Sequence, residues 1–145
     1  MVITMEKIFF NLDVVEGYPP VYTESLWAER LSSGNYKIKN IPFYAKEVSF
    51  NDVISIRVGS EGEFLFHKIV RYSGNNTLRI VFFDENVIKR RLNKLAGLGC
   101  SWECMNATFY SVNIPTGPSF KKVIQYLEKA YVREELDYEY GKLDN

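Results

Sequence analysis

LRIVFFDENVIKRRLNKLAGLG, residues 78–99, decides how this chain is read, because its periodicity changes partway through. From Leu78 to Phe83 nearly every residue is apolar, as in a strand covered on both faces. Asp84 then stands where a helix needs an N-cap, with Glu85 favourable in the first turn. Val87, Ile88, Arg91, Leu92 and Leu95 follow helical spacing. Gly97 and Gly99 supply the stop.

Downstream, Trp102 to Cys104 and Phe109 to Ile114 read as two strands around Asn106 and Ala107. Pro115-Thr116-Gly117-Pro118 interrupts the chain, and Pro118 suits a first helical position. Phe120, Val123, Ile124 and Leu127 mark a second amphipathic helix. VREELDYEY, residues 132–140, fits either a continuation of that helix or a last strand. The order β-α-β-β-α-β resembles the ferredoxin-like split unit.

Upstream the pattern is β. Glu6 to Val15 reads as a strand with its apolar centre at Ile8, Phe9 and Phe10. Gly17-Tyr18-Pro19-Pro20 breaks it, since two prolines do not fit a central strand. Tyr22 to Leu31 alternates around Leu26 and Trp27, and Ser32-Ser33-Gly34-Asn35 turns into Tyr36 to Lys39 as a hairpin. Asn40-Ile41-Pro42-Phe43 breaks the chain again. Val53 to Val58 and Phe64 to Tyr72 add two strands around a turn at Gly59 to Gly62. Short strands with frequent turns argue a small antiparallel barrel or a strongly curved sheet. The expected fold is therefore α+β. A β-rich half at residues 1–75 packs on an α/β ferredoxin-like half at residues 76–145, with no Gly/Ser linker between them.

The composition narrows the function classes. A chain of 145 residues buries roughly 70% of its unfolded surface and needs no disulfide or metal to fold. Eighteen basic and eighteen acidic residues cancel, so the whole chain lacks the basic footprint of a nucleic-acid binder. No apolar run approaches the roughly 20 residues of a membrane span, and MVITMEKIFF lacks the basic start of a signal peptide. The two cysteines, Cys100 and Cys104, fit a reduced, cytoplasmic setting. Ten Tyr and ten Phe suit strands, and surplus Tyr also suits an interface, where the ring is buried and the hydroxyl stays wet.

Chemistry-bearing motifs are sparse. The single histidine, His67, sits in a strand pattern without a nucleophile or metal partner. His67 with two cysteines lacks a clear fourth zinc ligand. Gly97 and Gly99 follow a helix, whereas a phosphate cradle precedes one. Lys89, Arg90, Arg91 and Lys94 make the helix at residues 85–97 basic, and with Arg79 they offer a patch for nucleic acid or nucleotide. A solvated helix face is the simpler reading. The end of the chain runs the other way. Glu134, Glu135, Asp137, Glu139 and Asp144 outnumber Arg133 and Lys142, with Tyr138 and Tyr140 among them. Acids interleaved with Tyr complement a basic partner such as a nuclease and steer its association.

Gly17-Tyr18-Pro19-Pro20, Glu24-Ser25-Leu26-Trp27-Ala28-Glu29, Tyr36, Asn40-Ile41-Pro42-Phe43-Tyr44-Ala45 and Asn51-Asp52-Val53-Ile54 together resemble a family of small bacterial proteins catalogued only as a domain of unknown function. Leu95, Gly99, Glu103, Val112-Asn113-Ile114-Pro115, Leu127 and Tyr138-Glu139-Tyr140 extend the resemblance across roughly residues 6–141. It implies a compact α+β protein with no established enzymatic role. Small single-domain families of this kind recur as immunity proteins of contact-dependent and other polymorphic toxin systems, which is an association rather than a consequence of fold. The matching positions read as structural: prolines shaping turns, Trp27 in the core, Asn40 satisfying turn backbone and Asp52 capping a turn.

The expectation is an immunity protein with no catalytic residues, no metal and no cofactor, which binds a basic cognate toxin domain through Asp137, Tyr138, Glu139 and Tyr140. The alternative is a nucleic-acid or nucleotide-binding module using the basic helix at residues 85–97.

Overall fold

The computed structural model describes residues 2–117 and 119–143. Pro118, placed by the sequence at a first helical position, lies outside them, as does Asp144 of the acidic ending. The chain divides into two units, Met1–Ser73 and Gly74–Asn145.

The first unit is a closed five-stranded barrel of β1 (Met5–Asn11), β2 (Thr23–Arg30), β3 (Tyr36–Ile38), β4 (Val53–Val58) and β5 (Phe64–Arg71). Successive strands pair antiparallel, but the closing pair, β1 with β5, is parallel. Of the small antiparallel barrel or curved sheet expected from the sequence, the barrel is what forms, with this one seam parallel instead of antiparallel. Two register shifts between β4 and β5 supply the irregularity that bends strands into closure. Alternation then fills the inside: Ile8 and Phe10 from β1, Leu26 and Ala28 from β2, Ile38 and Ile54 are all buried in one cluster. Phe10 stacks on Phe66 with ring centroids 4.9 Å apart.

Trp27, expected in the core, is 44% exposed. Leu26 and Ala28 point inward, so the residue between them must point outward. Its ring lies on the outer surface with the Lys7 ammonium 5.3 Å from its centroid.

The connection from β3 to β4 is held by side chains rather than by a regular ladder. The Glu24 carboxylate on β2 accepts three successive backbone N–H groups, from Phe43 at 2.7 Å, Tyr44 at 3.1 Å and Ala45 at 2.8 Å. Asn40 Oδ1 accepts from Trp27 N–H at 2.7 Å. Asp52, fully buried, accepts from Ser49 N–H at 2.9 Å and Ser73 N–H at 2.7 Å. With its donors satisfied, the segment can send Ala45 and Val48 into the barrel core.

The second unit orders its elements as β6 (Asn76–Phe82), a 3-10 turn (Glu85–Val87), α1 (Ile88–Gly97), β7 (Ser101–Cys104), β8 (Phe109–Ile114), α2 (Ser119–Val132) and β9 (Leu136–Tyr140). The four strands form one sheet in the order β7-β8-β6-β9, antiparallel throughout. Leu78, Ile80 and Phe82 of β6 pack with Leu92 and Leu95 of α1 and Val123, Leu127 and Ala130 of α2. Both helices therefore share one core with this face of the sheet. Asp84 caps the 3-10 turn by accepting from Asn86 N–H at 2.9 Å. Asn106 Oδ1 turns β7 into β8 by accepting from Thr108 and Phe109 N–H.

Both helices end the same way. After α1, Gly99 has φ +92°, its N–H donates to Ala96 O, and Cys100 N–H reaches back to Leu95 O. After α2, Glu134 has φ +60°, its N–H donates to Tyr131 O, and Glu135 N–H reaches back to Ala130 O. These are two Schellman terminations, the second made without glycine. The second ends the helix and makes residues 136–140 a strand.

Candidate protein-binding surface

β9 carries the four residues singled out in the sequence, and among the described residues it is an edge strand, paired with β6 alone. Its register places Leu136, Tyr138 and Tyr140 opposite Phe82, Ile80 and Leu78. Those three therefore point to the helix side of the sheet, and Asp137 and Glu139 to the other. The structure thus separates the four: aromatic rings on one face, acids on the other.

On the helix side, Tyr138 donates its hydroxyl to Glu128 Oε2 of α2 at 2.5 Å. The rings of Tyr131 and Tyr140 meet Tyr138 edge-on at 6.3 Å and 6.1 Å. Tyr131 and Tyr140 stay 47% and 44% exposed. Burial, then the Glu128 carboxylate, push the Tyr138 phenol well above the usual tyrosine range, so it remains a proton donor. Glu128 and Tyr131 were missed in the sequence. Their spacing of three sets them on one face of a helix, but only the sheet order shows that β9 runs beside it.

On the other side, Glu139 receives the guanidinium of Arg79 at 2.7 Å. Arg79 is 2% exposed, whereas Glu139 is 51% exposed. Arg79 also donates to the Tyr140 carbonyl at 3.3 Å. Asp137 accepts from its neighbour Tyr138 N–H at 2.8 Å.

This geometry takes Arg79 out of the basic patch that the sequence suggested. Arg79 lies on the helix-free face of β6, while Lys89, Arg90 and Lys94 are exposed on α1. Arg91 is also withdrawn, buried against Glu135 and Tyr126. The Tyr126 hydrogen bond raises its pKa, burial opposes this, and the Glu135 carboxylate adds to the rise, so the guanidinium stays charged.

His67 is exposed on β5 and Cys104 exposed at the end of β7, while Cys100 is buried. Among the described residues no group of three or more His, Cys, Asp or Glu side chains is placed to hold a metal ion. No helix among them is long and apolar enough to cross a membrane.

Fold and surface define an α+β protein whose N-terminal unit is a closed β-barrel and whose C-terminal unit is a four-stranded sheet covered by two helices. The chain belongs to the family described as Domain of unknown function (DUF4265), which matches residues 24–138. The crystal structure of a hypothetical protein from Neisseria gonorrhoeae is similar to it in fold. The TM-score is 0.85, at 22% identity over 98% of this chain and 97% of that one. No curated protein matches the chain.

Proposed function

We propose that this protein is an immunity protein, which binds a cognate bacterial toxin domain in the cytoplasm and blocks its active site or substrate path. It acts by binding and not by catalysis. The observation that carries the reading is the surface around β9: on one face the exposed rings of Tyr131 and Tyr140 meet Tyr138, which Glu128 holds, and on the other stand Asp137 and the Arg79-paired Glu139. Ordered aromatic side chains cost little entropy on binding and make effective anchors. Carboxylates beside them favour a basic partner, such as a nuclease, and accelerate encounter with it. The nucleic-acid alternative has weaker support, because Arg79 and Arg91 are tied to Glu139 and Glu135. For the C-terminal unit, the element order and the strand order β7-β8-β6-β9 support assignment to the ferredoxin-like split units.

The test is co-expression with the C-terminal fragment encoded by the open reading frame immediately upstream of this gene. Growth arrest by the fragment, relieved by this protein in a complex that co-purifies, is the expected result. Toxicity that persists without complex formation, or a harmless fragment, refutes the reading.

A further inference from the structure

The open edge of β9 has a defined phase. Phe83 N–H donates to Glu135 O at 2.9 Å and Gly141 N–H to Thr77 O at 2.8 Å. Antiparallel pairing alternates, so Asp137 and Glu139 turn their main-chain groups toward β6, and Leu136, Tyr138 and Tyr140 turn theirs outward. Two side chains lean over this edge: Asp137 on the Tyr138 N–H and Arg79 on the Tyr140 carbonyl.

A groove of about 700 Å³ runs along α2, lined by Ile124, Gln125, Glu128, Lys129, Val132 and Arg133. Glu128 lines this groove and also holds Tyr138. A strand added beside β9 would place alternate side chains on opposite faces. On the helix side they would meet Tyr138 and Tyr140. On the other side they would meet Asp137 and the outer, 51% exposed carboxylate of Glu139, whose inner side is paired with Arg79.

We infer that the partner adds an extended segment to β9, with apolar residues facing α2 alternating with basic residues facing Asp137 and Glu139. This rests on the reading of the chain as a partner-binding immunity protein and names how the partner is held. Main-chain hydrogen bonds supply the docking, and the two faces of β9 supply the selection. A second copy of this chain is the wrong occupant. Antiparallel pairing of two β9 strands would bring four carboxylates onto one face, and like charges across a ladder repel.

The test is amide exchange in the isotope-labelled full chain with a synthetic peptide alternating Lys and Val, against a peptide alternating Glu and Val. The expected result is that the basic peptide slows exchange at the Tyr138 and Tyr140 amides about tenfold and the acidic one does not. Tyr140→Pro removes an outward donor that β6 does not use. It should bind the basic peptide about fivefold more weakly than Tyr140→Ala, the loss of one backbone hydrogen bond. The same peptide N-methylated on alternate residues tests the edge from the partner's side, whether or not the proline variant folds. Equal binding by methylated and unmethylated peptides, no protection of β9, or dimerisation through β9 without peptide overturns the inference. None of these readouts uses toxicity. A protein that shows edge protection but gives no relief of toxicity loses the immunity reading alone.

Discussion

Replacing Glu24 by alanine tests whether one carboxylate holds the connection between β3 and β4. That carboxylate accepts three consecutive N–H groups, and the Ala45 it fixes is 1% exposed within the barrel core. A hydrogen bond to a charged group contributes about 1.5–3 kcal/mol, and a buried donor left without a partner costs about 1–3 kcal/mol. Phe43 and Tyr44 are only half-buried, so water can replace part of what they lose. The sum for Glu24→Ala is therefore about 2–4 kcal/mol, below the simple total of three bonds. For a unit of this size that lowers Tm by roughly 10–25 °C. Glu24→Gln keeps one acceptor oxygen but turns an NH2 group toward another donor, and should cost about half as much. Urea unfolding followed by circular dichroism measures both, with an unchanged slope showing that the unfolded surface is the same. If Glu24→Ala lies within about 0.5 kcal/mol of the parent, the scale of an ordinary surface substitution, the carboxylate does not hold the segment and the reasoning fails.

Glu135→Ala should destabilise the C-terminal unit by about 2–4 kcal/mol, because among the described residues it leaves the buried Arg91 guanidinium with the Tyr126 hydroxyl and no carboxylate; thermal unfolding reads this directly. Under the proposed function, Asp137→Ala and Tyr140→Ala should weaken binding of the toxin fragment at least about tenfold, with little change in Tm, as titration calorimetry and thermal melts can show together. Glu139→Ala should lower Tm as well, since it strips the carboxylate from the buried Arg79. A thiol reagent should modify Cys104 in the folded protein and Cys100 only on unfolding, with mass spectrometry counting the adducts. Burial pushes the Cys100 thiol from 9.0 up to about 11. The folded pKa is the higher one, so this contribution to stability is complete below pH 9.0 and falls as pH rises toward 11. Cys100→Ser should flatten that part of the pH–stability curve.

Much of the fold follows from local pattern. The run at residues 78–99 declares a buried strand, a cap and a helix. Asp84 and Gly99 then do what their chemistry suggests, because capping and a positive φ act within a few residues. The barrel's short strands and turns were equally legible, though only its closure, with β1 parallel to β5, separates a barrel from a curved sheet.

What the sequence left open turns on contacts distant along the chain. In VREELDYEY, Val132, Leu136 and Tyr140 keep helical spacing while Leu136, Tyr138 and Tyr140 alternate, so both periods fit. The tie is broken by Glu134, a residue type with no preference for positive φ, and by pairing with β6 far upstream. Trp27 is apolar enough for a core, but its neighbours took the inward positions. Arg79 sits in an apolar run because Glu139 meets it across the sheet, a partner sixty residues away. Sequence by itself determined the approximate place of most strands and of both helix starts, since those signals are local, but not where α2 gives way to β9. The tertiary structure alone decided which face each side chain takes and that Glu128, Tyr131, Tyr138 and Tyr140 form one surface, since that depends on pairing between distant segments.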